Sequence, residues 1–238
     1  MKILFVTGTG TDVGKTVFTG LLLHHLIVQG VRAVAFKPVC SGERSDAEFL
    51  WKVMGKSISL DSVNPYHFKK PVAPLVAARS EGKRVGLVDV TTHLELLGQD
   101  FDIVLVEGAG GLMSPMGEGF CGLDLAVELG AEVILVGKNQ LGIINEMRMA
   151  FSALKTRRRG KVSLVLMSNE EEDESVESNA GVLRELGLGD VLQVPYFEGF
   201  RANERAVKKN YKEFKKVLAA WGKFAKLVAS SAKADDKK

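Results

Sequence analysis

The chain has 238 residues, 46% of them apolar and 26% charged, enough to bury one substantial core. Its longest apolar stretches, such as Val133 to Val136, fall far short of the roughly 20 residues needed to span a bilayer, so neither a membrane span nor a secretory leader is expected, and a cytoplasmic location is. Cys40 and Cys121 sit far apart without CxxC spacing, so neither a disulfide framework nor a structural zinc site is suggested, and the net charge of +3 is uneven, with 12 Lys/Arg against 4 Asp/Glu over residues 201–238.

The first predicted strand, Lys2 to Thr7, carries the apolar run ILFV and leads straight into GTGTDVGKT, Gly8 to Thr16, followed by the helix-like VFTGLLLHHLIVQ. A phosphate-binding loop needs glycines that let backbone N–H groups turn inward, a lysine for the outer phosphates and a hydroxyl for a magnesium ion. Lys15 and Thr16 meet the last two requirements, and the dipole of the following helix faces the same point. The strict pattern GxxxxGK[ST] would place a glycine at position 9, where Thr9 stands; the glycines here are Gly8 and Gly14. We read a loop one residue longer than that pattern. The alternative, a glycine-rich turn with an accidental Lys-Thr, fits the flanking strand and helix less well.

The second predicted strand, Ala33 to Lys37, ends in FKPVCSG, and parallel pairing beside the first would bring Lys37 to the loop. Such an ammonium neutralises charge on a transferring phosphoryl group or an anionic substrate; the plainer reading is a strand-end lysine in solvent. Asp46 follows at a helix start, and the third strand, Asp102 to Glu107, runs into GAGG, Gly108 to Gly111. Asp46 alone reads equally as a helix cap and Glu107 as an ion-pair partner. Together with Thr16 they form an oxygen set suited to Mg²⁺, and the GAGG run adds candidate inward N–H donors.

Further strands are predicted at Glu132 to Gly137, Val162 to Ser168 and Val191 to Pro195. Near-continuous apolar runs such as IVLV and VILV suit strands covered on both faces, so the fold class is α/β, a doubly wound, mostly parallel sheet with helices on both faces, in one domain. Its ligand site belongs at the carboxyl ends of the strands. From Val207 on, Tyr211, Phe214, Leu218, Trp221 and Leu227 recur at helical spacing. We therefore divide the chain into an α/β domain over 1–200, a basic amphipathic helix packed on it over 201–230, and a disordered tail over 231–238. The basic charge reads as a solvated helix face, since no nucleic-acid-binding module is recognisable. His24, His25, His67 and His93 show no metal-ligand spacing, and the two cysteines no Cys/His/Asn arrangement, so none is assigned chemistry.

From the first strand to about Phe200 the chain resembles the dethiobiotin synthetase family, through VTGTGTDVGKT, FKPVCSG, SDAE, NPYHFKKPVAPLVAAR, VEGAGGLMSP, ILVGKNQLGIINE and the pair Ser168-Asn169. The resemblance implies ATP- and Mg²⁺-dependent closure of a cyclic urea from 7,8-diaminononanoate and CO₂, by way of a carbamate and a carbamic-phosphoric anhydride. It implies Lys15 and Lys37 as catalytic groups on the γ-phosphate and carbamate, and Thr16, Asp46 and Glu107 as Mg²⁺ ligands. The nucleotide would lie on Thr11, Asp12, Val13, Gly14, Lys15 and Thr16, with Asn169 reading the base under a loop from Pro195 to Gly199 that includes Tyr196 and Phe197. Thr11, Lys37, Ser41 and Gly108, Ala109, Gly110 and Gly111 would touch substrate. The amides of Gly142, Ile143, Ile144 and Asn145 would hold its carboxylate across a homodimer interface. No nucleic-acid or membrane partner is expected.

The chain departs from the family in several places. Gly10 and Asp12 stand where the family loop usually has Asp and Glu, and Glu146 where it commonly has His. Glu170 to Glu174 (EEEDE) and the basic terminal helix have no family counterpart. Two rival readings are a ParA/MinD-type regulatory ATPase, which needs a second lysine early in the loop where this chain has Thr7, Gly8 and Thr9, and an amide-forming ligase of cobalamin synthesis, which needs a glutaminase domain.

Overall fold

The computed structural model describes residues 1–157, 160–197 and 203–221. Six strands form one parallel sheet: β1 (Lys2–Gly8), β2 (Ala33–Phe36), β5 (Ile103–Glu107), β8 (Glu132–Lys138), β9 (Val162–Met167) and β10 (Val191–Val194). The small strands β3 (Val39–Ser41) and β4 (Tyr66–Phe68) pair with each other, as do β6 (Pro115–Gly117) and β7 (Phe120–Cys121). The helices are α1 (Lys15–Val28), α2 (Ser45–Val53), α3 (Leu60–Val63), α4 (Pro74–Ser80), α5 (Leu87–Gly98), α6 (Gly122–Glu128), α7 (Ile143–Arg157), α8 (Val176–Glu185) and α9 (Glu204–Ala220).

The sheet order is β10-β9-β8-β1-β5-β2. All five residues of β5 are buried, as are Leu4, Phe5 and Val6 of β1, because both strands lie inside a sheet covered on two faces. After β1 the chain first fills one side, with β2 and β5, and then the other, with β8, β9 and β10. The order therefore reverses at β1, and the crevice above such a reversal is where ligands settle in open α/β sheets. The register aligns the carboxyl ends: Val6 sits opposite Glu107, Gly8 opposite Val136, and Phe36 opposite Val106. Lys37, Glu107 and the loop after Gly8 thus leave the sheet at one level.

One expectation is corrected. β2 does not pair with β1; β5 lies between them. Lys37 approaches the loop across Glu107 rather than from an adjacent strand. A parallel connection through α1 can skip a place in the sheet, and sequence does not encode how far.

α1 begins at Lys15 with Gly14 as its N-cap at φ 92°, a conformation that favours glycine, and no side chain caps its first amides. Its apolar residues, among them Phe18, Leu21, Leu22 and Leu26, are fully buried. α9 lies against α1, with Phe214 edge-on to Phe18 at a 6.0 Å centroid distance, and Leu218 and Trp221 buried further along. The side chain of Asn203 caps α9 by accepting from the Ala206 N–H at 2.8 Å. Leu227, the rest of the expected helix and the 231–238 tail lie outside the described residues.

Candidate active site

The side chains at the carboxyl end of the sheet bind one another tightly. Lys37 Nζ donates to Glu107 Oε1 at 2.7 Å and to the Gly108 carbonyl at 3.1 Å, and stands 3.3 Å from Asp46 Oδ2. Thr16 Oγ1 donates to the same Glu107 Oε1 at 2.8 Å. Glu107 is 0% exposed and Lys37 3%. Burial by itself would lower the lysine's pKa, but Glu107 and then Asp46 outweigh it and hold the ammonium above lysine's ordinary value. Lys37 is therefore a fixed positive charge. Of the five residues expected to meet, Thr16, Lys37, Asp46 and Glu107 are joined by these contacts.

Lys15 differs. Its Nζ is turned back onto the Gly10 carbonyl of its own loop at 2.6 Å. Burial first, and then the Lys37 charge, lower its pKa to about 8. An ammonium held this way gains greatly from a phosphate, which supplies the negative charge the loop carbonyl does not. Asp12 adopts φ 55° within the loop, a left-handed conformation that Asp tolerates better than most residues.

Sequence reasoning missed the residues that aim Lys37. Asn64, fully buried, donates from Nδ2 to the Lys37 carbonyl at 2.6 Å and accepts at Oδ1 from Arg44 Nε at 2.9 Å; Arg44 also bonds the Asn64 carbonyl and Asp61. His67 is within 2.8 Å of the Gly42 carbonyl through Nε2, and β3 and β4 align Ser41 with Phe68. The NPYHF segment is thus the clamp on the KPVCSG turn. Its signal in the sequence was the pairing of these two motifs, which spacing alone does not turn into a contact.

The GAGG run is only partly free to meet a ligand. The Gly108 N–H is bonded to the Val6 carbonyl at 2.9 Å and the Gly111 N–H to Ser114 Oγ at 2.9 Å, while the next amide, Leu112, bonds the Gly8 carbonyl at 3.0 Å. The expectation that the whole run offers inward donors narrows to Ala109 and Gly110. Instead the run laces β5 to the phosphate loop: a Cβ at Gly111 would lie 3.1 Å from the Thr9 carbonyl oxygen.

Two cavities flank the phosphate loop. The first, ≈ 470 Å³, is lined by Asp12, Val13 and Gly14 on one side and Asn169, Pro195, Tyr196 and Phe197 on the other. These seven expected nucleotide residues therefore surround one space of nucleoside size. Lys138, Gln140, Met167, Glu170, Glu171 and Asp173 also line it; the acidic run was visible in the sequence, but not that it borders this cavity. Glu198 and Gly199, the end of the expected closing loop, lie outside the described residues. Thr11 belongs instead to a second cavity of ≈ 500 Å³, with Thr9, Gly111, Ser114 and Glu146 among its walls, and a mostly apolar surface from Leu112, Met113, Met149, Ala150 and Ala153.

At the start of α7, the expected anion site is also narrower than foreseen. The Ile143 side chain is buried and its N–H bonds the Gln140 carbonyl at 3.2 Å, so Gly142, Ile144 and Asn145 are the amides that remain for a ligand. Gly142 and Asn145 are exposed.

A family model described as an AAA domain matches residues 2–212. The ATP-dependent dethiobiotin synthetase of Caulobacter vibrioides is 36% identical over 192 residues, covering 77% of this chain and 87% of that protein. Those of Anaeromyxobacter sp. strain Fw109-5 (36% over 211 residues, 86% of this chain and 95% of that one) and Anaeromyxobacter dehalogenans strain 2CP-C (39% over 191 residues, 78% and 86%) are similar to it as well. Among solved structures, a putative plasmid partition protein of Borrelia burgdorferi bound to AMPPNP superposes with a TM-score of 0.55 at 13% identity, over 92% of this chain and 98% of that one. The MinD cell division protein of Aquifex aeolicus gives 0.55 at 12% identity, over 91% and 98%. At such identities the likeness concerns the fold alone.

Proposed function

Because this chain belongs to the dethiobiotin synthetase family, we propose that it is the ATP-dependent cyclo-ligase that closes the urea ring of dethiobiotin from 7,8-diaminononanoate and CO₂, a step of biotin biosynthesis. The observation that carries the chemistry is the buried Lys37, held by Glu107, Asp46 and the Gly108 carbonyl where the phosphate loop and three strand ends meet.

ATP would lie with its base in the cavity between Asp12 to Gly14 and Asn169, and its phosphates on the amides that begin α1. Lys15 leaves the Gly10 carbonyl to meet the outer phosphate. One amine of the diamine, carrying CO₂ as a carbamate, directs a carbamate oxygen at the γ-phosphorus; the P–O bond to ADP breaks as the new one forms. The second amine then attacks the carbamic carbon, losing its proton as inorganic phosphate leaves and the ring closes. Phosphoryl transfer of this kind needs positioning and charge stabilisation above all. Lys37 supplies both, because it is fully charged and rotationally fixed before substrate arrives.

The donor set fits a magnesium ion. Glu107 Oε2 is buried without a hydrogen-bond partner, and Thr16 Oγ1 lies beside the other oxygen of that carboxylate. Among the described residues no group of three His, Cys, Asp or Glu is placed to hold a metal, so Thr16, Glu107 and Asp46 would act together with phosphate oxygens. When bound, the ion would offset phosphate charge and orient the terminal group.

The apolar cavity beside Thr11 supports a substrate with an alkyl chain, and Ser41, Ala109 and Gly110 would meet its amines. The chain's carboxylate would reach the amides of Gly142, Ile144 and Asn145 on a second copy. A homodimer through α7 is supported by the exposure of Leu141 (80%), Met113 (62%) and Met149 (60%) around it. Among the described residues no helix is long and apolar enough to cross a membrane. The cytoplasm is where a biosynthetic step on small ionic substrates and ATP would run. Phosphate release measured with ATP, Mg²⁺ and bicarbonate should require diaminononanoate; turnover independent of the diamine and stimulated by a protein or DNA would favour a regulatory ATPase instead.

A further inference from the structure

Behind the nucleoside cavity a run of polar side chains starts at Asn169 and continues through groups that the reaction scheme does not use. Asn169 Nδ2 donates to the Asn139 carbonyl at 3.2 Å. Asn139 Oδ1 accepts from Asn179 Nδ2 at 2.9 Å, and the same Asn179 amide reaches the Gln140 carbonyl at 3.3 Å and Ser175 Oγ at 3.1 Å. The Ser175 hydroxyl and N–H both donate to Asp173 Oδ1. Asp173 Oδ2 then accepts from the Leu141 N–H at 2.8 Å. Asn139 and Asn179 are 1% and 2% exposed, so their bonds are sheltered from water, where such networks act as units.

The network joins two places. Asp173, Gln140 and Asn169 line the nucleoside cavity, while Leu141 opens the turn into α7, whose next residues, Gly142 to Asn145, form its N-terminal edge. Residues 139–141 are thereby clasped from the α8 side of the molecule: Asn139 and Gln140 at the cavity wall through Asn179, and Leu141 at the α7 entry through Asp173. The three donors converging on Asp173, led by the Ser175 hydroxyl and followed by the Leu141 amide, also hold its carboxyl below the usual aspartate range.

We propose that Asp173, backed by Ser175 and Asn179, is a positioning residue that ties the nucleoside cavity to the α7 N-terminus, so that a bound nucleotide orders the turn that receives the substrate carboxylate. This rests on the reading of that N-terminus as the carboxylate site. A nucleoside pressing on Asp173 needs to move only one hydrogen bond to reach the Leu141 amide, while pressure on Asn169 travels by way of Asn139, Asn179 and Ser175. Coupling then requires no domain motion, only two settings of one turn. The acidic run at 170–174 thus gains a role: its fourth residue is the connector, and Glu170 and Glu171 line the cavity beside it.

Hydrogen exchange at the Leu141 amide reads this directly, with no need of the second substrate. Saturating AMPPNP and Mg²⁺ should slow that exchange by roughly fivefold or more in the wild type. The Asp173→Asn variant has one acceptor oxygen where the clasp uses two, so its slowing should be smaller than the wild type's, and Asp173→Ala should show no change on nucleotide addition. Asp173 is exposed, so the alanine variant should keep its fold. A wild-type Leu141 amide indifferent to nucleotide, or an alanine variant protected like the wild type, overturns the proposal. In parallel, calorimetric titration of diaminononanoate should show roughly fivefold or greater tightening by AMPPNP in the wild type and none in Asp173→Ala. Failure of the diamine to bind wild type at all would refute the ligase reading, and the exchange result would still decide the clasp.

Discussion

Replacing Lys37 by alanine should do two separable things, and their sizes follow from its surroundings. Glu107 is fully buried, and its Oε1 takes a hydrogen bond from Lys37 at 2.7 Å. Without the ammonium, that carboxylate keeps only the neutral Thr16 hydroxyl at 2.8 Å. Stranding a buried charge costs about 3–5 kcal/mol, and at about 2–4 °C per kcal/mol for a domain of this size the melting temperature should fall by roughly 6–20 °C. Activity should fall at least about a hundredfold, because the group that meets the developing negative charge is gone. The double variant Lys37→Ala/Glu107→Gln removes the stranded charge as well, so most of the lost stability should return while turnover should not. Urea unfolding and phosphate-release kinetics on the single and double variants measure both quantities. If Lys37→Ala unfolds like the wild type, or if the double variant regains turnover along with stability, the paired, charge-stabilising role drawn for Lys37 is wrong.

Three other outcomes are expected. Gly14→Ala puts a Cβ at φ 92° and 2.8 Å from Met167 Cγ, so nucleotide affinity measured by calorimetry should drop about tenfold or more while the fold persists. Asn64→Ala removes the buried donor to the Lys37 carbonyl and leaves Arg44 without its Oδ1 partner; a stability loss of about 1–3 kcal/mol should come with reduced kcat. Burial and then the Lys37 charge hold the Lys15 pKa at about 8 without nucleotide, below the ordinary lysine value, so above pH 8 the Lys15 amine is largely neutral in the free protein but charged against a bound phosphate. ATP binding should therefore take up a proton there and weaken by up to about tenfold per pH unit above 8, and calorimetry in buffers of different ionisation enthalpy would show no such uptake if burial does not depress Lys15. The same depression penalises the folded apo protein at pH below 8, a penalty that fades as pH rises toward the ordinary lysine range.

Much of the frame could be read from the residues. ILFV, IVLV and VILV mark strands buried on both faces, and they are the centre of the sheet, β1, β5 and β8. The Gly8 to Thr16 loop is legible because phosphate binding demands glycine, lysine and hydroxyl in a fixed order. What escaped depended on distance in space. Whether β2 lies beside β1 or one place further is settled by crossover packing, so Lys37 reaches the loop over Glu107 rather than alongside it. The short strands β3 and β4 hold three residues each, too few for a periodic signal, and with them the Asn64 clamp went unseen. The glycine run after β5 promised free amides, but Val6 and Ser114 take two of them. Asp173 was one residue of an acidic run with no family counterpart; its bond to Leu141 belongs to the folded chain alone.

The most direct measurement uses ¹³C-labelled bicarbonate with ATP, Mg²⁺ and 7,8-diaminononanoate. The product should be a cyclic urea carrying one labelled carbon, formed in equal amount to the phosphate released. Phosphate released without labelled urea, or at the same rate without the diamine, would contradict the account.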